Sequence, residues 1–232
     1  MRLRLITANI GRKASVQHTR ADFETIRRLK GITGFQEIDE ADKPLEHSLL
    51  KAVLSSDYFL EGLKSFVPVA IPKGYEVINA RVVYGAPGVA HYSPNRYFVV
   101  VVIAKKETWL DKKLARQRKA FVVINTHYPA GAYHGDRPAA ARRELIDSWD
   151  RQFLKHKSIV KHYVDKGYTV FWTGDVNRTV MPKVHPREVQ VVTVGIDSVS
   201  YVPGGVKVKV IRKGSAQLYS DHNAQYADFE LS

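Results

Sequence analysis

The chain contains no cysteine. Disulfides, thiolate nucleophiles, Cys-ligated zinc and iron–sulfur clusters are excluded together, so any chemistry falls to carboxylates, imidazoles, amides and hydroxyls. Long apolar runs are also missing. The longest, Tyr97 to Ala104 (YFVVVVIA), is far short of the roughly 20 residues that cross a bilayer. The amino terminus, MRLRLITANIG, alternates basic or polar with apolar residues instead of forming the apolar stretch of a signal peptide. A soluble, cytoplasmic monomer without a membrane span is the expectation. Internal repeats, low-complexity tracts and Gly/Ser linkers are absent as well, and residues 1–232 read as one domain. Acidic residues are scarce beside basic ones: 23 Asp and Glu against 36 Lys and Arg give a formal charge of +13 with His neutral. Such a balance favours a polyanionic partner.

What is present is an ordinary globular composition, long enough to bury roughly 70 to 75% of its unfolded surface. Arg2 to Ile10 alternates like a half-buried strand. Asp22 to Lys30 reads as a short amphipathic helix with Gly31 after its C-terminus, followed by a strand through Gly34 to Glu37. Pro44 to Leu54 reads as a second helix and Pro138 to Tyr163 as the longest one. Strands are expected over Tyr58–Ile71, Glu76–Tyr84, Tyr97–Ala104, Phe121–His127, Thr169–Asp175, Val189–Val202, Val206–Arg212 and Gln225–Leu231. Strands interleaved with helices favour an α/β sandwich containing more than one sheet.

Four strings, TANI, GFQE, VINTH and FWTGDVN, each place a polar group at the end of an apolar strand, where core packing gives no reason for it. A fifth, YSDH, precedes the last strand. Together they supply Asn9, Glu37, His127, Asp175, Asn177, Asp221 and His222, a set of hard oxygen donors with two imidazoles that suits Mg²⁺ or Mn²⁺. Hydrolysis of a phosphodiester needs a cation, a base or aligner for water and donors for the developing charge, and this inventory offers all three. Taken singly, the same residues have plainer readings. Asn9 and Asn177 also suit turn caps, Glu37 a surface charge, Asp197 a buried turn carboxylate and His127 a structural histidine. The ordered conjunction outweighs them.

In this order the strings resemble the endonuclease/exonuclease/phosphatase superfamily, over nearly the whole chain from Asn9 to His222. The resemblance implies a deoxyribonuclease I-like four-layer α/β sandwich: two mixed β-sheets packed face to face with helices on the outside. It also implies that Glu37 binds the divalent cation, with Asn9 supporting that site and Asp221 a further metal-site carboxylate. Asp175 and Asn177 would orient water and phosphate, His222 would be the catalytic imidazole oriented by Asp197, and His127 would face the phosphate from the other side. Sequence alone does not say which His transfers a proton, or whether Asp175 is base or aligner. Many nucleases of the family pair the NTH histidine with a second carboxylate, for which Glu76 is the available candidate. Asn95, Arg96 and Arg81 are candidates to approach the phosphate.

Charge then selects among substrates that share this chemistry. Lys105 to Lys119 is the densest basic stretch and contains Trp109, which can stack on a base, or the stretch is simply a solvated charged segment. Arg137, Arg142 and Arg143 follow the NTH string, and Lys207, Lys209, Arg212 and Lys213 alternate on an expected hairpin. The reading is a Mg²⁺- or Mn²⁺-dependent endonuclease that cuts DNA, or RNA, to 5′-phosphate and 3′-hydroxyl ends with little sequence specificity. The alternatives are a phosphoesterase for a lipid headgroup or small molecule, and a non-catalytic nucleic-acid-binding protein.

Overall fold

The computed structural model describes residues 1–11, 15–38, 45–106, 120–133 and 135–232, the side chain of Leu45 excepted. Its strands run β1 (Arg2–Asn9), β2 (Ile32–Gln36), β3 (Tyr58–Glu61), β4 (Val69–Pro72), β5 (Tyr75–Ala86), β6 (Arg96–Lys105), β7 (Phe121–His127), β8 (Thr169–Asp175), β9 (Val189–Val194), β10 (Asp197–Val202), β11 (Val208–Ala216) and β12 (Ala224–Leu231). The helices are α1 (Val16–Leu29), α2 (Leu45–Leu54) and α3 (Ala139–Asp165). One six-stranded sheet has the order β11-β12-β1-β2-β4-β3 and the other β5-β6-β7-β8-β10-β9. Both are mixed: β1 with β2 and β7 with β8 are parallel, and the remaining pairs antiparallel.

Side-chain alternation along each strand explains the layering. Leu3 and Leu5 of β1, Phe121 and Val123 of β7, Phe171 of β8 and Phe229 of β12 fill the layer between the sheets. The intervening residues face outward. Ile6, Ala8 and Phe35 pack against Phe23 and Ile26 of α1 and Leu50 and Val53 of α2. Val122, Ile124, Val170 and Trp172 pack against Leu145, Trp149 and Val160 of α3. The result is the expected four-layer sandwich, helices outside and sheets within.

The inter-sheet layer changes character toward the C-terminal ends of β1, β2, β7 and β8. Past the apolar residues come Thr7, Gln36, Asn125 and Thr173, all buried, and beyond them Asn9, Glu37, His127 and Asp175. Asn125 joins the sheets: its amide donates to the carbonyls of Phe35 (2.6 Å) and Val67 (3.0 Å), and its Oδ1 accepts from Gln36 Nε2 (2.7 Å) and Thr173 Oγ1 (2.9 Å). This approach is possible because position 34 is glycine, where any Cβ would collide with Thr173 Oγ1 and Asn125 Oδ1. From the outside, Gln152 of α3 donates to Thr126 Oγ1 (2.7 Å) and to the His127 carbonyl (3.0 Å).

Several boundaries differ from the sequence reading. The helix expected from Asp22 begins at Val16, because Ser15 caps it by accepting the His18 N–H (3.2 Å); the polar first turn carries no apolar periodicity to reveal it. Its left-handed cap is Lys30 (φ 54°), one residue before Gly31. The single strand expected over 58–71 is broken by Gly62 (φ 72°) and a short 3₁₀ turn, Leu63–Ser65, into the hairpin β3–β4. The run 189–202 folds back at Gly195 (φ 60°) into β9 and β10. The strand expected over 206–212 starts at Val208 and continues to Ala216.

Asn125 is the test of this junction. Replacing it with Leu removes partners from buried carbonyls, an amide and a hydroxyl, each costing about 1–3 kcal/mol when left unsatisfied. We expect Asn125→Leu to lose about 3 kcal/mol or more in urea unfolding; a loss under about 1 kcal/mol would contradict the role given to it.

Candidate active site

The topology explains why polar residues far apart in sequence meet. Parallel β1 and β2 end together, as do β7 and β8, where His127 is in register with Asp175. The antiparallel neighbours contribute their beginnings: β10 starts with Asp197 opposite Asp175, and β12 starts just after His222, running back beside β1. All four strand ends and both strand starts therefore open at one end of the inter-sheet layer.

Asn9 bridges the two sheets there. Its Nδ2 donates to Glu37 Oε1 (3.2 Å) and to Asp175 Oδ2 (3.0 Å), and its Oδ1 accepts the Gly11 N–H (2.9 Å). Glu37 lies just past β2 with φ 63°, and Asn177 adopts φ 49°, left-handed conformations that only a specific turn imposes on such residues. Asp175 Oδ1 accepts the Asn177 N–H (2.9 Å), which folds the GDVN turn back on itself, and Asn177 Nδ2 donates to the Tyr128 carbonyl (2.9 Å). On the far side His222 Nδ1 is 2.9 Å from Asp197 Oδ2, and its Nε2 points toward Asp175 Oδ2 at 4.0 Å. Asp175, Asp197 and His222 bring ligand atoms within 4.8 Å of one another. Among the described residues Asp197 Oδ1 is buried without a hydrogen-bond partner. Buried carboxylates in register, one with an unused oxygen, are a donor set that suits a hard divalent cation.

The electrostatics follow from this crowding. Burial raises the Asp175 pKa above the usual carboxylate range; His127 pulls it down, Asp197 pushes it further up, and His222 and the Asn177 N–H lower it again. For His222, burial alone disfavours the imidazolium. The hydrogen bond that His222 donates to Asp197, with the charges of Asp197, Asp175 and Asp221, overcomes this and brings its pKa up to about 9.

His127 departs from the expected pairing. Glu76, the candidate carboxylate, is opposite Ala104, at the other end of β6 from the site. The buried Arg96 occupies the place instead: its Nη1 is 3.0 Å from His127 Nδ1 and its Nε donates to Ser93 Oγ (3.0 Å). An arginine only donates, so Nδ1 accepts and the ring proton belongs on Nε2. That nitrogen lies 3.9 Å from both Glu37 Oε1 and Asp175 Oδ2 and 3.1 Å from Asn177 Nδ2. With Nδ1 accepting from Arg96, Nε2 does not also accept from Asn177, whose amide donates to the Tyr128 carbonyl.

The other expected site residues sort by position. Asp221 is exposed beside Gly11 (φ 65°), whose lack of a Cβ makes room for the aspartate and Ser220. Arg81 is not brought to the site; it sits mid-strand opposite Val100 with its guanidinium over Tyr163 (5.4 Å). Asn95 is not in the cluster either, because its Oδ1 accepts the Gly88 N–H (2.8 Å) and holds a turn. Arg137 lies over Tyr92 (5.5 Å), and Arg142 donates to the Gly135 carbonyl (2.8 Å) on the first turn of α3. Arg143 is exposed on the same helix, and Lys207, Lys209, Arg212 and Lys213 are exposed on or beside β11. Trp109 lies outside the described residues.

Sequence reasoning missed two supports. Arg178, directly after GDVN, is clamped between Tyr133 (4.2 Å) and Trp149 (5.1 Å), and its adjacency to the motif was the available signal. Asp22 of α1 accepts the N–H groups of Tyr219 (2.7 Å) and Ser220 (3.1 Å), fixing the YSDH segment from 197 residues away; nothing local marks it.

No family model and no curated protein matches the sequence of this chain. Solved structures do match its fold. An endonuclease/exonuclease/phosphatase family protein from Bacteroides thetaiotaomicron superposes with TM-score 0.67 at 11% identity, covering 99% of this chain and 97% of that one. Truncated TDP2 from Caenorhabditis elegans gives TM-score 0.66 at 15% identity, with 99% and 97% covered. A mannosyl-6-phosphatase of Bacteroides thetaiotaomicron gives 0.63 at 13% identity, with 99% of each chain covered. The architecture is thus that of these two-sheet α/β sandwiches. The chain has the endonuclease/exonuclease/phosphatase fold.

The His222–Asp197 pair has a measurable signature. Its folded pKa of about 9 lies above the ordinary 6.5, so the stabilisation is complete below about pH 6.5 and is lost as pH rises through about 9. In EDTA, the stability gap between the wild type and His222→Gln should be constant below pH 6.5 and narrow above it. A gap that widens with pH would contradict the pairing.

Proposed function

We propose that the protein is a divalent-metal-dependent phosphodiesterase acting on the backbone of DNA, leaving 5′-phosphate and 3′-hydroxyl ends with little sequence preference. The observation that carries this reading is the convergence at one end of the inter-sheet layer. Asn9 and Glu37 come from one sheet, His127, Asp175, Asn177 and Asp197 from the other, and His222 from the loop between β11 and β12.

Glu37 and Asp175, bridged by Asn9, together with Asp197, would hold a Mg²⁺ or Mn²⁺ ion, which supplies charge neutralisation at the phosphoryl oxygens. The chain's own groups do the rest. Asp175, its orientation fixed by the Asn177 turn, is placed to align an attacking water. His222, cationic at neutral pH and aligned by Asp197, donates to a phosphoryl or leaving oxygen as charge builds. His127, held by Arg96, offers Nε2–H from the opposite side. The formal charge of +13 supports a polyanionic strand as substrate.

A small phosphorylated substrate is the second reading, favoured by the mannosyl-6-phosphatase that shares this fold. Incubation with supercoiled plasmid in Mg²⁺, Mn²⁺ or EDTA separates them. We expect metal-dependent nicking that falls about 10³-fold in Asp175→Ala and His222→Ala. Turnover of sugar phosphates with the plasmid untouched would move the assignment to the second reading, and nicking retained in Asp175→Ala would overturn the site.

A further inference from the structure

Tyr219 stands three residues before His222, outside every role assigned so far. Tyr219 is 63% exposed, and its ring lies flat on the exposed imidazole of His18, with centroids 4.2 Å apart and planes inclined by 2°. A large exposed aromatic beside a catalytic loop would ordinarily be free to swing, but here the backbone carrying it is pinned. Asp22 accepts the N–H groups of Tyr219 and Ser220, Ser220 Oγ donates to the Asn9 carbonyl (2.9 Å), and the His222 N–H donates to Ser220 Oγ (3.3 Å). The ring is thereby tied both to α1 and to the end of β1, the strand that delivers Asn9 to the site.

We propose that Tyr219, backed by His18, is a stacking platform for a nucleobase of the strand whose phosphate occupies the site. This rests on the nucleic-acid reading above and deepens it. One face of the column is closed by His18 while the tyrosine remains largely exposed, so a base extends the stack by one ring. Stacking accepts any base, because every base has a π-face, and holds a strand without reading it. That agrees with a site that recognises backbone and has little sequence preference. Pre-organisation by Asp22 and Ser220 means that binding does not first have to order the ring.

A merely structural role, in which the two rings clasp the loop to α1, predicts something different, and a pair of substrates separates them. Oligothymidylate and a tetrahydrofuran oligomer of the same length carry the same phosphates with and without bases. The wild type should favour oligothymidylate by about tenfold or more in kcat/KM, mostly through KM. Tyr219→Ala should bring that preference close to one, and Tyr219→Trp should keep it. Equal preference in the wild type and Tyr219→Ala, or equal losses on both substrates, would overturn the platform. If the wild type cleaves both oligomers without preference, the platform alone falls. If it cleaves neither but nicks plasmid, the platform alone falls; if it leaves plasmid intact as well, the nuclease reading falls and takes the platform with it.

Discussion

The inter-sheet contact at Asn125 is the constraint on which the rest of the structure depends. A sandwich held only by apolar side chains can slide, because hydrophobic burial is non-directional. Asn125 removes that freedom by bonding to the backbone of one sheet through its amide and to Gln36 and Thr173 through its oxygen. Two residues further along β7 is His127, and two residues beyond Thr173 on β8 is Asp175. The same strand periodicity that places Asn125 in the interior therefore places the site residues just past it. Asn9 then repeats the cross-sheet connection one layer nearer the opening, between Glu37 and Asp175. Fold and site are one graded layer, apolar at one end and ionisable at the other.

Much of this was legible in the sequence because strand ends are local. Phe121–His127 and Thr169–Asp175 coincide with the observed strands, since apolar alternation stops where the polar string begins. Asn9, Glu37, His127, Asp175, Asn177, Asp221 and His222 stood out in the short strings, and Asp197 came from the family resemblance. What local pattern could not show was pairing across the fold. Glu76 was a reasonable partner for His127 until the register of β5 and β6 put it at the wrong end and put Arg96 at the right one. The Arg81 guanidinium lies over Tyr163 and the Asn95 side chain holds a turn, contacts that no local pattern shows. Asp22 was invisible because its partners are backbone N–H groups, which leave no trace in composition.

The two histidines end up with opposite assignments. His222 is backed by a carboxylate and surrounded by others, which keeps it charged. His127 is backed by an arginine, which fixes its hydrogen-bonding direction and leaves Nε2–H facing the site. The space between them is flanked by the His222 imidazolium on one side and His127 Nε2–H on the other. Asp175, shared by Asn9 and Asn177, lies between the two.

The central claim is that the polar end of the inter-sheet layer is a cation site built jointly by both sheets. Anomalous scattering from crystals soaked in Mn²⁺ tests it most directly. The account predicts a peak adjoining the carboxylates of Glu37 and Asp175, lost in Asp175→Asn. Manganese bound only elsewhere, or a peak at the strand ends that survives Asp175→Asn unchanged, would contradict it.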